Sequence, residues 1–380
     1  MSASVQGLLS QNGGHIRLLE AHDHISREII RNAVGKSGQR FHGLWLSGLT
    51  QTTYLGIPDT ELISPLKRAS MIAFNDLLQP GDHRPLCAAF DADSGGDVEE
   101  IPALLAVLEI MGVSMVIIED KSLSAPGEKV NSLESTSGNQ EQADMHEFAE
   151  KIRAFKKATG SKDILTTARI ESLTTRISRA EEQEEKESVQ QAIQDALTRA
   201  YVYRDAGADA IMIHSKSTSS DEVLQFLHSF REKDLNTPLV VVPTTYSATT
   251  RTALYGAGAN VVIYANHLMR AKISAVSEIS NKLLVEQPDL FADDAELKAC
   301  LEARNFGCLL HRLLARALLG QEEREETAKY RQLVQKHAKD NMNAVVLDLL
   351  DGDMSGCEAN KRIISVKELL EINSRQIIFV

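Results

Sequence analysis

Four carboxylates stand where they could act together: Asp59 in GIPDT, Asp91 and Asp93 in DAD, and Glu119 in IIED. Carboxylates brought close together repel one another, so a cation is expected among them. Ligands that offer only oxygen favour Mg²⁺ or Mn²⁺ over zinc, and Mg²⁺ usually keeps several waters. A DxD alone is often just a turn; Glu119 gives this one its interest. Two candidate anion ligands follow, Arg169 and His214. A guanidinium suits bidentate binding of carboxylate or phosphate. An ion pair from Arg169 to Glu171 or to a DAD carboxylate is the competing reading, and a lone histidine such as His214 is more often a satisfied core residue. Ser47-Gly48-Leu49 could turn backbone N–H groups toward an oxyanion, since Gly48 permits a tight turn. Lys121 and Lys129 flank a polar segment.

These residues need elements to hold them, and the hydrophobic pattern supplies eight. Short apolar runs fall at residues 16–21, 43–46, 86–90, 115–118, 164–168, 210–213, 239–242 and 260–264. A short apolar run bounded by turn signals reads as a buried strand, and segments of helical character lie between these. Nearly every run ends in polar residues: His22 and Asp23, Ser47, Asp91, Glu119 with Asp120 and Lys121, Arg169 and Glu171, His214 and Ser215, Thr244 and Thr245, Asn266 and His267. Eight such units predict an α/β fold, a (β/α)8 barrel of TIM type, whose active site lies at the C-terminal ends of the strands. In that arrangement the loops bearing Asp59, Asp91, Asp93 and Glu119 are neighbours.

The chain has 380 residues, 43% of them hydrophobic, so a large core is within reach. A barrel takes roughly 250 residues, which leaves a surplus. The net charge of −12 argues against general binding of nucleic acid or of an anionic membrane, though not against an anionic substrate. No apolar run approaches the roughly 20 residues that span a bilayer, and the N-terminus has no basic segment leading into an apolar core. The four cysteines, Cys87, Cys300, Cys308 and Cys357, show no metal-ligand spacing. They read as reduced thiols of a cytoplasmic protein.

Residues 1–15 read as a loose leader and 16–287 as the barrel. The polar stretch 121–142 after the fourth strand is a candidate lid over the catalytic end, with a passive surface insertion as the plainer reading. The charge run ISRAEEQEEKE reads as a solvated helix face. Residues 288–372 form a helical extension, with an apolar patch (AVVLDLL) followed by turn residues near 341–356, and 373–380 a tail. The apolar face carrying Leu301, Leu309, Leu313 and Leu318 must pack on something.

The ordered stretches LLEAHDHIS (18–26), GLWLSGLTQTTYLGIPD (43–59), FDADSGG (90–96), IIEDK (117–121), KVNSL (129–133), ARIES (168–172), YRDAGADAIMIHSK (203–216), VVVPTTY (240–246), YANHLMRA (264–271) and SVKEL (365–369) are similar to those of the phosphoenolpyruvate mutase and isocitrate lyase superfamily, and within it to the phosphoenolpyruvate mutases. The resemblance implies that Ser47, Gly48 and Leu49 hold a substrate carboxylate, with Trp45 and Lys121 beside it. It implies that Asp91 binds Mg²⁺ directly and that Asp93 and Glu119 act through waters. Asp59 would lie against the transferring group, Arg169 and His214 would hold phosphoryl oxygens, and Lys129, Asn131, Ser132 and Leu133 would sit on a gating loop. The implied reaction is interconversion of phosphoenolpyruvate and phosphonopyruvate, a step of phosphonate biosynthesis. The related carbon–carbon lyases carry a KKCGH-type loop, and no cysteine lies between Lys121 and Leu133 here. Phosphonopyruvate hydrolases tend to carry Thr where this loop has Asn131. A barrel that binds a phosphonate or 2-oxo acid without turnover is the third reading. Relatives exchange their last helices between subunits, so a homodimer or homotetramer is expected, with residues 288–372 serving an interface rather than the active site. This chain departs from the family in SLSAPGE, which lengthens the gating loop, in DSGGD where DTGYG is usual, and in an insertion of about 70 residues before SVKEL.

Overall fold

In a computed structural model, described except at residues 1–2, 74–85, 124, 135–139, 178–180, 286–323, 354–355, 362 and 375–380, eight parallel strands close in sequential order into a barrel. They are β1 (Ile16–Glu20), β2 (Gly43–Leu46), β3 (Cys87–Asp91), β4 (Met115–Glu119), β5 (Leu165–Ile170), β6 (Ala210–Ile213), β7 (Leu239–Val241) and β8 (Val261–Tyr264). Each run is buried on both faces, as parallel strands covered by helices must be. One face lines the barrel interior with Leu18, Trp45, Ala89, Ile117, Met212 and Ile263. The other meets the helices in a larger core that includes Leu44, Phe90, Ile118, Ala168 and Ile211. Gly43 is required by close approach: a Cβ there would lie 2.5 Å from the Cys87 carbonyl and 2.7 Å from Leu18.

The helices fall between the strands: α2 (His24–Asn32), α3 (Gly48–Leu55), α4 (Pro65–Ala73), α5 (Ile101–Met111), α6 (Met145–Thr159), α7 (Ser172–Thr175), α8 (Glu182–Asp205), α9 (Asp221–Arg231), α10 (Arg251–Gly256) and α11 (His267–Val285). The strand bounds predicted from sequence shift in one place that matters. β5 runs on through Arg169, because its register with β4 sets Arg169 opposite Glu119.

One expectation is corrected. The N-terminal segment is not loose. α1 (Val5–Gln11) is capped by Ser4, and its Val5 and Leu9 join the barrel-interior cluster, closing the end opposite the site. The C-terminal extension, where described, packs on its own barrel. A long helix, Arg324–Asp351, carries the apolar patch AVVLDLL and ends before the turn residues that follow it. Its Met342, Val345, Val346, Leu349 and Leu350 belong to the main core, and it lies against α2 and α11. Arg251 caps its C-terminal end by donating to the Leu349 carbonyl at 2.6 Å. The apolar face around Leu301, Leu309, Leu313 and Leu318, and Cys300, Cys308 and residues 375–380 of the tail, lie outside the described residues. The terminal helix, Val366–Ser374, seats Leu369 and Leu370 beside Leu49 of α3 and Met269 of α11.

Candidate active site

At the C-terminal ends of the strands a cavity of about 50 Å³ is lined by residues from seven of the eight βα units. Of those expected from sequence, Trp45, Ser47, Leu49, Asp59, Asp91, Glu119, Lys121, Lys129, Asn131, Ser132, Leu133, Arg169 and His214 line it. Gly48 and Asp93 stand directly behind: a Cβ on Gly48 would sit 3.1 Å from Asp93 Oδ1, 3.3 Å from Asp91 Oδ2 and 3.6 Å from Asp59 Oδ1. That crowding explains the glycine better than a turn does, since it takes a helical conformation at the start of α3.

Ser47 caps α3, and its side chain accepts from Thr50 N. The N-terminus of α3 therefore points its free amides at the cavity, as anion sites at helix ends do. One of them is engaged: Gly48 N donates to Asp91 Oδ2 at 3.1 Å. Three buried polar atoms on the lining, Trp45 Nε1, Glu119 Oε1 and Thr244 Oγ1, have no hydrogen-bond partner among the described residues. Buried polar groups are normally satisfied, so orphans clustered on one cavity point to a ligand.

The carboxylates also have cationic side-chain partners of their own. Lys129 Nζ lies 2.9 Å from Asp59 Oδ1 and 2.5 Å from Asp93 Oδ1. Arg68, fully buried on α4, donates to Asp93 Oδ2 at 2.8 Å, to Gln51 Oε1 at 2.7 Å and to the Asp91 carbonyl. Arg169 approaches Glu119 Oε2 at 3.2 Å, and Lys121 approaches Glu119 Oε1 at 3.5 Å. Burial alone would raise the Asp93 pKa, but Lys129 and Arg68 outweigh it and hold the carboxyl well below the usual range. Asp91 is pushed up to about 6, first by burial and then by Asp93. Among the described residues no group of three or more His, Cys, Asp or Glu side chains stands ready to hold a metal. Asp91 and Glu119 nevertheless suit a hard divalent cation: one carboxylate lies at the cavity wall, and the other has an orphaned oxygen. Mg²⁺ commonly takes one or two protein carboxylates and completes its shell from water and substrate. Asp93 is paired on both oxygens, with Lys129 and with Arg68.

Arg169 and Glu171 are bonded directly, so the ion-pair reading of Arg169 holds. It does not remove the guanidinium from the site, because Nη2 also donates to Ser132 Oγ at 2.9 Å and lies 2.9 Å from His214 Nδ1. Glu171, whose burial would raise its pKa, is held well below the carboxylate range by Arg169, Lys121 and His214. His214 is pulled below its ordinary value first by burial and then by Arg169, with Glu171 opposing.

The segment after β4 folds over the cavity. Its base is pinned by Ser122 N to the Glu141 carbonyl and by the Lys121–Gln142 bridge. Asn131 Nδ2 donates to Asp59 Oδ2 at 2.7 Å, and Ser132 Oγ accepts from Lys121 Nζ at 2.6 Å. Leu133 packs on the cluster formed by Leu49, Met269, Leu369 and Leu370. Sequence reasoning missed Arg68, and also Asn373, whose Oδ1 accepts from Asp59 N at 2.7 Å. Arg68 sits in a helix with no motif around it, and Asn373 lies four residues beyond SVKEL, on the same helix. It also missed Glu61, at φ 53°, which accepts from Ser94 Oγ at 2.6 Å and Ser94 N at 3.2 Å. Asn373 belongs to the stretch 373–380 read from sequence as a tail, with no role assigned to it; its bond to Asp59 N brings it to the site. The apolar wall of Met212, Val242 and Ala265 carried no chemical signal.

The model of the phosphoenolpyruvate phosphomutase family matches residues 6–284. A phosphoenolpyruvate phosphomutase of Tetrahymena pyriformis is 30% identical over 271 residues, 71% of this chain and 79% of its own length. A phosphonopyruvate hydrolase of Variovorax sp. (strain Pal2) is 32% identical over 241 residues, 63% of this chain and 74% of its own. The crystal structure of a phosphoenolpyruvate phosphomutase from Streptomyces platensis subsp. rosaceus superposes with a TM-score of 0.60 at 32% identity, covering 73% of this chain and 85% of that one.

Proposed function

Since this chain belongs to the phosphoenolpyruvate phosphomutase family, we propose that it interconverts phosphoenolpyruvate and phosphonopyruvate with a divalent cation, Mg²⁺ or Mn²⁺, at Asp91 and Glu119. The observation that carries this reading is the closed contact of the gating segment on Asp59. Asn131 and Lys129 both reach that carboxylate across the cavity, with Arg169, His214 and Ser132 opposite.

The reaction breaks a P–O bond and forms a P–C bond on one bound molecule. Phosphoryl transfer is often loose and dissociative, so positioning and electrostatics supply most of the catalysis. The α3 amides at Ser47–Leu49 would hold the pyruvate carboxylate. Arg169 and His214 would donate to phosphoryl oxygens, and Asn131 would donate to the same group from the lid. The cation, when bound, would stabilise negative charge on the pyruvate enolate oxygens. Asp59 would face the group in transit. Water must be excluded or the phosphoryl group is hydrolysed; Leu133 on its apolar seat supports that exclusion.

Hydrolysis of phosphonopyruvate is the second reading, favoured by the 32% identity to a relative of that name. A homodimer or homotetramer is part of the proposal, to be checked by sedimentation at micromolar concentration; a monodisperse, fully active monomer would count against it. Phosphorus NMR of phosphonopyruvate with enzyme and Mg²⁺ decides the reaction. Phosphoenolpyruvate is the expected product. Inorganic phosphate as sole product would make it a hydrolase, and an unchanged spectrum would sink both readings.

A further inference from the structure

We infer that Asn373 on the terminal helix is a positioning residue for Asp59, which makes the C-terminal helix part of the active site. This rests on the phosphoryl-transfer reading only for the role of Asp59; the geometry is independent of it. Asp59 lies in the short loop that leaves α3 at Gly56, which takes φ 71°. The loop fixes itself in part, through Ile57 N to the Thr52 carbonyl at 2.9 Å and Thr60 N to the Pro58 carbonyl at 2.9 Å. Pro58 has no N–H to add, and Asn373 holds the Asp59 N–H from outside. Its Oδ1 accepts from Asp59 N at 2.7 Å, and its Nδ2 donates to Ile57 O at 3.2 Å and Thr53 Oγ1 at 3.0 Å. One side-chain amide thus grips both sides of Pro58 and the end of α3. It is 4% exposed, so water cannot stand in for it.

The consequences run straight to the lid. The Asp59 carboxylate that this loop presents is the one on which Lys129 and Asn131 close. The same helix brings Leu369 and Leu370 into the cluster that receives Leu133 of the gating segment. Seating of the terminal helix and closure of the lid therefore share one set of contacts. A helix that merely covered α3 would not need a buried amide bonded to the backbone of Asp59.

Full-length Asn373→Leu and Asn373→Ala test this; the first keeps the volume and removes every hydrogen bond. Amide hydrogen exchange in the segment containing Asp59 should quicken about 10-fold or more in both. With phosphonopyruvate and Mg²⁺, kcat should fall roughly 10-fold to 100-fold, the scale of a small misplacement of a reacting group. Binding of oxalate, a planar stand-in for the enolate that lacks the phosphoryl group, should stay within about twofold, while Tm falls by no more than the few degrees expected for lost buried hydrogen bonds. Unchanged exchange in that segment would overturn the inference. So would a joint fall of Tm, oxalate affinity and kcat, which would mark Asn373 as structural. If the parent itself fails to turn over phosphonopyruvate, the functional reading falls, and the exchange measurement alone decides whether Asn373 holds the Asp59 loop.

Discussion

Asn131 donates from Nδ2 to Oδ2 of Asp59 over 2.7 Å, joining positions 72 residues apart across the mouth of the cavity. The contact ties a lid residue to a rim residue, and it predicts what the lid does. Asn131→Ala should lower kcat for phosphoryl transfer by an amount worth on the order of 2–4 kcal/mol, the usual cost of losing one preorganised donor. Asn131→Thr should release some inorganic phosphate, because a shorter side chain leaves room for water. Steady-state kinetics with phosphorus NMR product analysis checks both. Two variants that behave like the parent would remove the lid from the mechanism.

Gly48 gives a test in which stability and activity move apart. A methyl group at this first helical position should help α3 slightly, since alanine restricts the unfolded chain more than glycine does. The same methyl would press on Asp91, Asp93 and Asp59 at 3.1–3.6 Å. Gly48→Ala should therefore leave Tm unchanged or a little higher while cutting kcat/KM by about 10-fold or more, a consequence of displacing reacting groups. A variant as active as the parent would show that the carboxylates have slack.

Cation dependence follows from Asp91 and Glu119. Excess chelator should abolish turnover, and Mg²⁺ or Mn²⁺ should restore it. Asp91→Asn should lose Mn²⁺ binding, read by calorimetry or electron paramagnetic resonance, yet keep the fold, because Asp91 sits on the rim of the barrel. Full activity in excess chelator would refute the metal assignment.

Glu61 supplies a pH prediction. Its carboxyl is raised to about 7, first by burial and then by the Asp93 charge. The folded protein thus binds a proton there that the unfolded chain, near 4.5, has given up. In that window the native state holds more protons, so stability falls as pH rises from about 4.5 through about 7. Glu61→Gln keeps an acceptor for Ser94 N and a partner for Ser94 Oγ without the charge. It should be more stable than the parent at pH 8 and lose the difference at pH 5. Thermal melts at both values decide; parallel shifts at both would contradict the assignment.

Much of the molecule is legible in its sequence alone. The eight short apolar runs imply the barrel because a parallel strand buried on both faces must be apolar along its length, and a chain cannot hide that pattern. Strand order then places Ser47, Asp91, Glu119, Arg169 and His214 on one rim, because in this fold every strand ends at the same side. What the sequence could not express is who neutralises whom. Lys129 reaches Asp59 and Asp93 only when the segment after β4 is folded over the cavity, and Arg68 reaches Asp93 only because α4 packs beside β3. Neither distance is encoded in local spacing, so the side-chain cations beside these carboxylates could not be read from it. α1 reads as a leader because two apolar residues, Val5 and Leu9, mean little until an open barrel end exists for them to fill. Asn373, more than three hundred residues from Asp59, becomes a partner of the site only through the packing of the last helix on α3. Periodicity fixes which residues are buried and which face the rim, since it depends on neighbours along the chain; charge balance and loop support depend on neighbours in space, and those exist only after folding.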